Sequence, residues 1–282
     1  MIDAVYDASS LFGRSWYAAQ KNISDDPAEV LSLMLRTVIL LLNPGSFSKI
    51  GAHFDRTLFA WDGKQNPLKK REEKPPRYHD TKSIAQDILA LVLGAANYQH
   101  PDYEGDDVVA TAVFAAKPGD ITYIFSGDKD LQALQGPRCP YYCLNTKALL
   151  SRQYINHKWH IQRPAQIALV LAIIGDPVDC IKGVRGYGPK KCKQMFKAVT
   201  PEMNFTEALH ALAEQVPASK LEEFYAALDR TLLQTSVPGV PPPAPLKLAD
   251  PAEVRRTGIP NVYKLYCEMF EAYESSATTK TS

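Results

Sequence analysis

Short apolar runs alternate along this chain with longer stretches whose apolar residues return at helical spacing. Residues 2–6 (Ile2-Asp3-Ala4-Val5-Tyr6) read as a buried first strand, and 57–61 (Thr57-Leu58-Phe59-Ala60-Trp61) as a second. Ile121-Thr122-Tyr123-Ile124-Phe125 follows the turn Pro118-Gly119-Asp120 as a third, and 141–144 supplies a fourth. Pro27 opens a helix that runs to about Leu42, where Asn43-Pro44-Gly45 stops it. Residues 81–97 carry helical spacing in Ile84, Ile88, Leu91, Val92 and Ala95, and 106–116 form another helix. Between them, 64–78 is polar and broken by Pro67 and Pro75-Pro76, which predicts a loop or an interrupted helical segment. Strands alternating with helices predict an α/β fold, a mostly parallel central sheet flanked by helices on both faces.

Further on, 164–174 predicts a helix ending at Gly175-Asp176, and the Gly-rich segment 181–197 leads into another. A boundary near residue 160 then separates an α/β lobe, 1–160, from a helical lobe, 161–282. Residues 237–245 are Pro-rich and predict an extended connector, and the Ser/Thr-rich tail from Glu274 predicts a frayed end.

Composition narrows the function classes. With 282 residues, 45% of them hydrophobic, the chain suits one large or two modest domains. Its net charge of +1 means that any electrostatic footprint is local. Five cysteines without a CxxC pair predict reduced thiols in a cytoplasmic protein, not a disulfide framework or a zinc site. Asp3 and Asp7 interrupt any signal-peptide pattern, and the apolar run at 30–42 is short and contains Arg36. No membrane partner is expected.

The candidate chemistry lies in carboxylates. Asp7, Asp62 and Asp128 fall where strand-like runs end, and Asp130 lies two residues beyond Asp128. Glu104, Asp106 and Asp107 open an apolar helical stretch, with Glu104 and Asp107 spaced to share a face. Asp176 and Asp179 add a pair at the start of the helical lobe. Ligands in open α/β sheets sit beyond the carboxyl ends of the strands, so these acids converge on one crevice. Like charges at ~4 Å repel by roughly 1–4 kcal/mol per pair at a surface dielectric, so such a cluster calls for protons or cations. Oxygen ligands without accompanying His or Cys suit Mg²⁺ or Mn²⁺, and two such ions would clamp the attacking and leaving oxygens of a phosphodiester. A single Asp after a strand is more often a turn residue or helix N-cap, so the constellation carries the weight, not its members. His157 and His160 read as ordinary residues.

Two basic segments accompany the acids. Between Lys64 and Lys82 lie Lys64, Lys69, Lys70, Arg71, Lys74, Arg77 and Lys82 against Glu72, Glu73 and Asp80, a local +4 directly after Asp62. That stretch suits phosphates or a threaded single strand, with Tyr78 to stack a base; the plainer alternative is a solvated loop. From Ile181 to Lys197 there are six basic residues and no acid. Gly183, Gly186 and Gly188 allow tight turns and close approach, Pro189 suits a helix start, and Lys182, Arg185, Lys190 and Lys191 surround them. This is the pattern of a helix–hairpin–helix holding a duplex backbone without reading sequence.

The chain resembles the flap endonuclease/5′-nuclease superfamily, specifically phage 5′-3′ exonucleases and the 5′-nuclease domain of bacterial DNA polymerases. Asp7 with Arg14, Asp62, Glu104-Gly105-Asp106-Asp107, Asp128-Lys129-Asp130-Leu131 and Gly175-Asp176-Pro177-Val178-Asp179 carry the resemblance, across about residues 3–200. It implies a PIN-like, resolvase-like nuclease core with a helical arch at about 64–90 and a helix–hairpin–helix at about 170–200. Asp7, Asp62, Glu104 and Asp106 would hold one Mg²⁺, with Asp107 directly or through water. Asp128, Asp130 and Asp179 would hold a second, with Asp176 outside them. Arg14, Lys70, Arg71, Tyr78, His79 and Lys82 would assist, Arg71 and Tyr78 matching arch positions, and a K⁺ would sit at the hairpin. The implied partners are branched, nicked or 5′-ended DNA or an RNA–DNA hybrid, met by a monomer. One departure stands out: the family commonly places lysine after the arch tyrosine, and this chain has His79, leaving Lys74, Arg77 or Lys82, or His79 itself when protonated, to supply that cation. A non-catalytic DNA-binding relative is the alternative, as is a phosphatase built on Asp128-Lys129-Asp130.

Overall fold

A buried aromatic ladder crosses the middle of the sheet. Tyr6 is stacked between Phe59 and Phe125, with 4.5 Å between ring centroids on each side, one residue before Asp7. These rings belong to the three central strands of a computed structural model that describes residues 1–21, 26–44, 50–63 and 74–279. The chain runs through β1 (Ile2–Asp7), α1 (Ala8–Lys21), α2 (Pro27–Leu42), β2 (Arg56–Asp62), α3 (Pro76–Leu93), β3 (Ala96–His100), α4 (Gly105–Phe114) and β4 (Ile121–Ser126). There follow β5 (Tyr141–Cys143), β6 (Ala148–Leu150), α5 (Arg152–Trp159), α6 (Ile167–Ile174), α7 (Pro189–Met195), α8 (Phe205–Ala213) and α9 (Ala218–Thr231). The last elements are β7 (Ala244–Pro245), α10 (Pro251–Arg256) and α11 (Tyr263–Thr279).

The sheet order is β3-β2-β1-β4-β5-β6, parallel as far as β5, with β6 antiparallel at the edge. Alternation along the strands divides the core into two layers. Val5, Leu58, Ala60 and Ile124 face α4 and, beyond it, the helices α6–α9. Ala4, Tyr6, Phe59, Trp61 and Phe125 face α1, α2 and α3. Of the span 161–282, α6–α9 form the layer beyond α4, whereas the chain from Ala244 returns to the sheet. There β7 pairs antiparallel with Arg56 and Thr57 of β2, and Tyr266 of α11 donates a hydrogen bond to the carbonyl of Ala249 at 2.8 Å. The Pro-rich connector thus ends as a strand.

The α/β expectation holds, and four details differ. Pro75-Pro76 starts α3 instead of breaking it: Pro76 sits in the first turn, where its missing N–H costs nothing. Its buried stripe is Thr81, Ala85, Leu89 and Val92, while Ile84 and Leu91 face solvent. The helix stops at Gly94, whose φ of 61° is left-handed, and 96–100 becomes the strand β3 in place of a last helical turn. The Ser/Thr-rich tail stays helical to Thr279. Helix α1 buries Leu11, Phe12, Ser15, Trp16 and Ala19 on one face. Among the described residues no helix is long and apolar enough to cross a membrane.

Candidate metal centre and nucleic-acid approach

Three strands deliver an acid at or just past their carboxyl ends to one place. Asp7 ends β1 and caps the helix that follows, its Oδ1 accepting from the Ser10 N–H at 3.0 Å. Asp62 ends β2; its Oδ1 accepts from Gly105 N–H at 2.8 Å, so this carboxylate receives the first amide of α4. Asp128 lies just past β4, with its backbone N–H donating to Ser126 Oγ at 2.8 Å. Ser126 in turn donates to Asp7 Oδ2 at 2.5 Å. Together with Glu104 and Asp106, these three acids line a cavity of about 390 Å³.

An adjoining cavity of about 610 Å³ shares Glu104 and Asp106 and adds Asp107, Asp130 and Asp179. Asp130, Asp176 and Asp179 each offer an oxygen within 4.8 Å of the others. Asp176 is buried, its backbone bridged to Ile181 on the far side of a tight turn. Asp107 Oδ1 accepts from the Gln234 N–H at 2.8 Å on the wall of the larger cavity. Lys129, between the two aspartates of the β4 loop, donates to Asp176 Oδ2 and lies 3.3 Å from Asp130 Oδ1 and 3.8 Å from Asp179 Oδ2.

Crowding shows in the proton affinities. Burial, then the Asp62 charge, pushes Asp7 up to about 7, against the hydrogen bonds from Ser126 and Ser10. Burial also drives Asp106 well above its ordinary range, reinforced by Asp107 and Glu104. Asp130 is pushed up to about 7 by burial and Asp128, with Lys129 opposing. Asp130 Oδ1 is buried and accepts no hydrogen bond among the described residues. A buried oxygen faced by the Lys129 ammonium at 3.3 Å and set beside two more carboxylates suits a hard divalent cation.

The other candidates spread around this centre. Lys64, Lys69, Lys70 and Arg71 lie outside the described residues. Lys74 lines the smaller cavity with Tyr17, bonds the Tyr17 hydroxyl, and stands 4.6 Å above its ring. Lys82 Nζ donates to the carbonyl of Asp62 at 3.0 Å and lies 5.5 Å from the Trp61 ring; burial lowers its pKa, with Asp62 opposing. Tyr78 packs edge-on against Phe12 and Trp16, each at 5.1 Å. His79 and Arg77 are on the exposed side of α3. Arg14 reaches the Asn145 side chain and lines a separate groove with Leu11 and Tyr142.

In the hairpin between α6 and α7, Lys182, Arg185, Gly186 and Gly188 are exposed, as are Lys190 and Lys191 in the first turn of α7. Gly183 has a different role from close approach to a ligand. A Cβ there would lie 2.3 Å from the Gly175 nitrogen, so the residue is small to let the hairpin pack on the end of α6. Lys191 Nζ covers the Tyr187 ring at 3.7 Å, and Lys220 of α9 donates to the Arg185 carbonyl at 2.7 Å.

A family model described as 5′-3′ exonuclease, N-terminal resolvase-like domain, matches residues 4–160. The chain belongs to this family. Bacillus subtilis DNA polymerase I is 25% identical over 185 residues, which cover 64% of this chain and 20% of the polymerase. The 5′-3′ exonuclease of Aquifex aeolicus is 26% identical over 170 residues, covering 60% of this chain and 58% of that protein. Among solved structures, bacteriophage T5 5′-exonuclease with bound zinc ions superposes with a TM-score of 0.62 at 15% identity, covering 96% of this chain and 99% of that one. The catalytic core of Rad2 in complex with DNA substrate gives 0.58 at 15% identity, covering 95% and 91%. Both share the resolvase-like nuclease fold.

Several residues at the centre of this 5′-3′ exonuclease fold were not foreseen. Ser9, whose Oγ accepts from Asp62 N–H at 2.7 Å, and Ser10 follow Asp7 directly. Ser126 precedes Asp128 by two residues, so both sets carried a signal as neighbours of a strand-end acid. Tyr17 carried one too, ten residues after Asp7 on the exposed side of α1. Arg230 carried none: its guanidinium donates to the carbonyls of Asp179 and Cys180 from 50 residues away.

Proposed function

We propose that this chain is a divalent-metal-dependent 5′ nuclease acting on DNA phosphodiesters at flaps, nicks and 5′ ends, RNA–DNA hybrids included, as a cytoplasmic monomer. The supporting observation is the convergence of Asp7, Asp62, Glu104, Asp106 and Asp128 on one cavity at the carboxyl ends of β1, β2 and β4. In this reading Asp7, Asp62, Glu104 and Asp106 hold one Mg²⁺ or Mn²⁺, and Asp128, Asp130 and Asp179 hold a second with Asp176 behind them. Two such ions supply charge stabilisation to the attacking and leaving oxygens. Asp107, bonded to Gln234 N–H, serves from outside through water.

The chain's own residues do the positioning. Lys82, anchored on the Asp62 carbonyl, supplies a cation beside the scissile phosphate in place of a lysine at His79, and Lys74 does so from the cavity mouth. Tyr17, half exposed at that mouth, offers a face for stacking, whereas Tyr78 buttresses α1. Arg14 acts from beyond Gly127 by holding Asn145, which donates to the Gly127 carbonyl at 2.7 Å. Arg77 and His79, exposed on α3, would meet the 5′ strand, and the basic residues Lys64, Lys69, Lys70 and Arg71 would add charge for it. Lys182, Arg185, Lys190 and Lys191 grip the duplex backbone, within a helical lobe that begins near residue 160. A K⁺ at the hairpin would add to that grip.

The test is cleavage of a 5′-labelled flap duplex, a nicked duplex and a single strand, each in Mg²⁺ and in EDTA. Release of short 5′ fragments in Mg²⁺ alone, fastest from the flap, is expected. Binding without cleavage in Mg²⁺ and Mn²⁺ would make the chain a DNA-binding relative instead.

A further inference from the structure

We propose that Lys129 is a tethered counter-cation: it occupies the space among Asp130, Asp176 and Asp179 in the metal-free protein and leaves when a divalent cation binds. The inference rests on the metal reading above and adds that binding at this group is an exchange of cations. Three contacts carry it. The ammonium bonds Asp176 Oδ2 and lies 3.3 Å from Asp130 Oδ1 and 3.8 Å from Asp179 Oδ2. Those are the three residues whose oxygens approach within 4.8 Å of one another. One positive group therefore sits where a cation shared by the trio would sit.

The two cations cannot share that space. An ammonium and a divalent ion a few ångströms apart repel strongly in a partly desolvated site. The route out is also present. The Lys129 side chain is 31% exposed, whereas that of Asp176 is 3% exposed, so the lysine can swing to solvent while the carboxylate stays. Lysine fits such a role better than arginine: its charge is compact, rides on a flexible stem, and locks no bidentate geometry. Lys129 also precedes the tight 3₁₀ turn Asp130–Leu134, so its backbone is fixed while its side chain moves.

An occupant that must leave lowers apparent metal affinity by the fraction of time the site is competent. The experiment is Mn²⁺ binding, by calorimetry or by electron paramagnetic resonance, with thermal melting in EDTA, on wild type and Lys129→Met. The expected result has two parts: Lys129→Met melts several degrees lower in EDTA, and it binds Mn²⁺ about tenfold more tightly at one site. Adding Asp176→Asn to Lys129→Met should return much of the lost melting temperature. Equal or weaker Mn²⁺ binding by Lys129→Met, or an unchanged melt in EDTA, overturns the proposal. If Lys129→Met does not fold in EDTA, recovery of the wild-type melt on adding Mn²⁺ supports the exchange, and no recovery overturns it. Wild type that binds no Mn²⁺ would defeat the nuclease reading itself; an unchanged affinity in the variant defeats only the counter-cation.

Discussion

The central sheet carries carboxylates at both ends of its strands, and the fold handles the two ends in opposite ways. At the amino end Arg56 donates to Asp3 at 2.6 Å and to Asp120 at 2.7 Å. Its guanidinium matches both acids in a fixed planar geometry, and its side chain is only 14% exposed. Asp120 is held below its ordinary value by the Met1 amino group and by Arg56. At the carboxyl end Asp7, Asp106 and Asp130 are all pushed upward. The cation drawn in among Asp130, Asp176 and Asp179 is a lysine making single-atom contacts. The acids at the amino end are paired with an arginine; those at the carboxyl end stay crowded around a single lysine.

The largest expected effect tests whether the crowded end carries the chemistry. Asp128→Asn with Asp130→Asn should lower cleavage by about 10⁴-fold, equivalent to ~5.5 kcal/mol of barrier. DNA binding in Ca²⁺ should persist, since the basic hairpin lies elsewhere. Asp3→Asn, one change at the paired end, should leave turnover per folded molecule within about twofold. Comparable turnover loss in both would erase the functional distinction between the ends.

The converse change tests stability. Arg56→Met leaves Asp3 and Asp120 without their guanidinium, and breaking the buried pair with Asp3 from one side costs about 3–5 kcal/mol. Urea unfolding should show that loss, while cleavage below the transition stays near wild type. A stability change under ~1 kcal/mol would mean that water replaces the guanidinium and that the amino end is not held by it.

This contrast was only partly legible in the sequence. Asp7, Asp62 and Asp128 were readable because a strand and its terminal acid are adjacent, and a local apolar run announces both. The difference in pairing was not, because it depends on which cation folds onto which acid. Arg56 meets Asp120 across 64 residues and Lys129 meets Asp176 across 47, distances over which periodicity carries nothing. The same limit hid the contact of Asp107 with Gln234, 127 residues away, and β7, a two-residue strand that gains its pairing from β2. The strand β3 was lost for a local reason. Ala95 continues the helical spacing of α3, so the spacing masked the stop at Gly94.

A smaller effect follows from the raised carboxylates. Asp7 and Asp130 rise from an ordinary 3.8 to about 7, so between those values the folded protein holds protons that the unfolded chain releases. Metal-free stability should therefore fall as pH rises from about 4 towards 7 and level off above it, by ~1.4 kcal/mol per pH unit for each group still protonated. Melting in EDTA at pH 5.5, 6.5 and 8 reads this slope. Saturating Mg²⁺ should flatten it, because the ion stabilises the ionised carboxylates. A melt that rises with pH in EDTA would mean that these acids are compensated after all, as Asp3 and Asp120 are.

The smallest effect concerns the neutral group that moderates the crowded end. Ser126 is fully buried, donates to Asp7 Oδ2 at 2.5 Å and accepts from Asp128 N–H at 2.8 Å. A hydroxyl donor favours the ionised form of Asp7 without adding a charge that would repel an incoming cation. Ser126→Ala removes that donor, so Asp7 should hold its proton to still higher pH, by about one unit or ~1.4 kcal/mol. Proton and metal then compete more evenly: apparent Mn²⁺ affinity near pH 7 should fall by up to about tenfold and recover by pH 9. Titrating Mn²⁺ at both values separates this from a packing defect, which would weaken binding equally at each. An arginine in that position would neutralise Asp7 outright, as Arg56 neutralises Asp3, but its fixed charge would oppose the metal. A serine lowers the cost of ionisation and would leave the charge of the site for the proposed ion to balance.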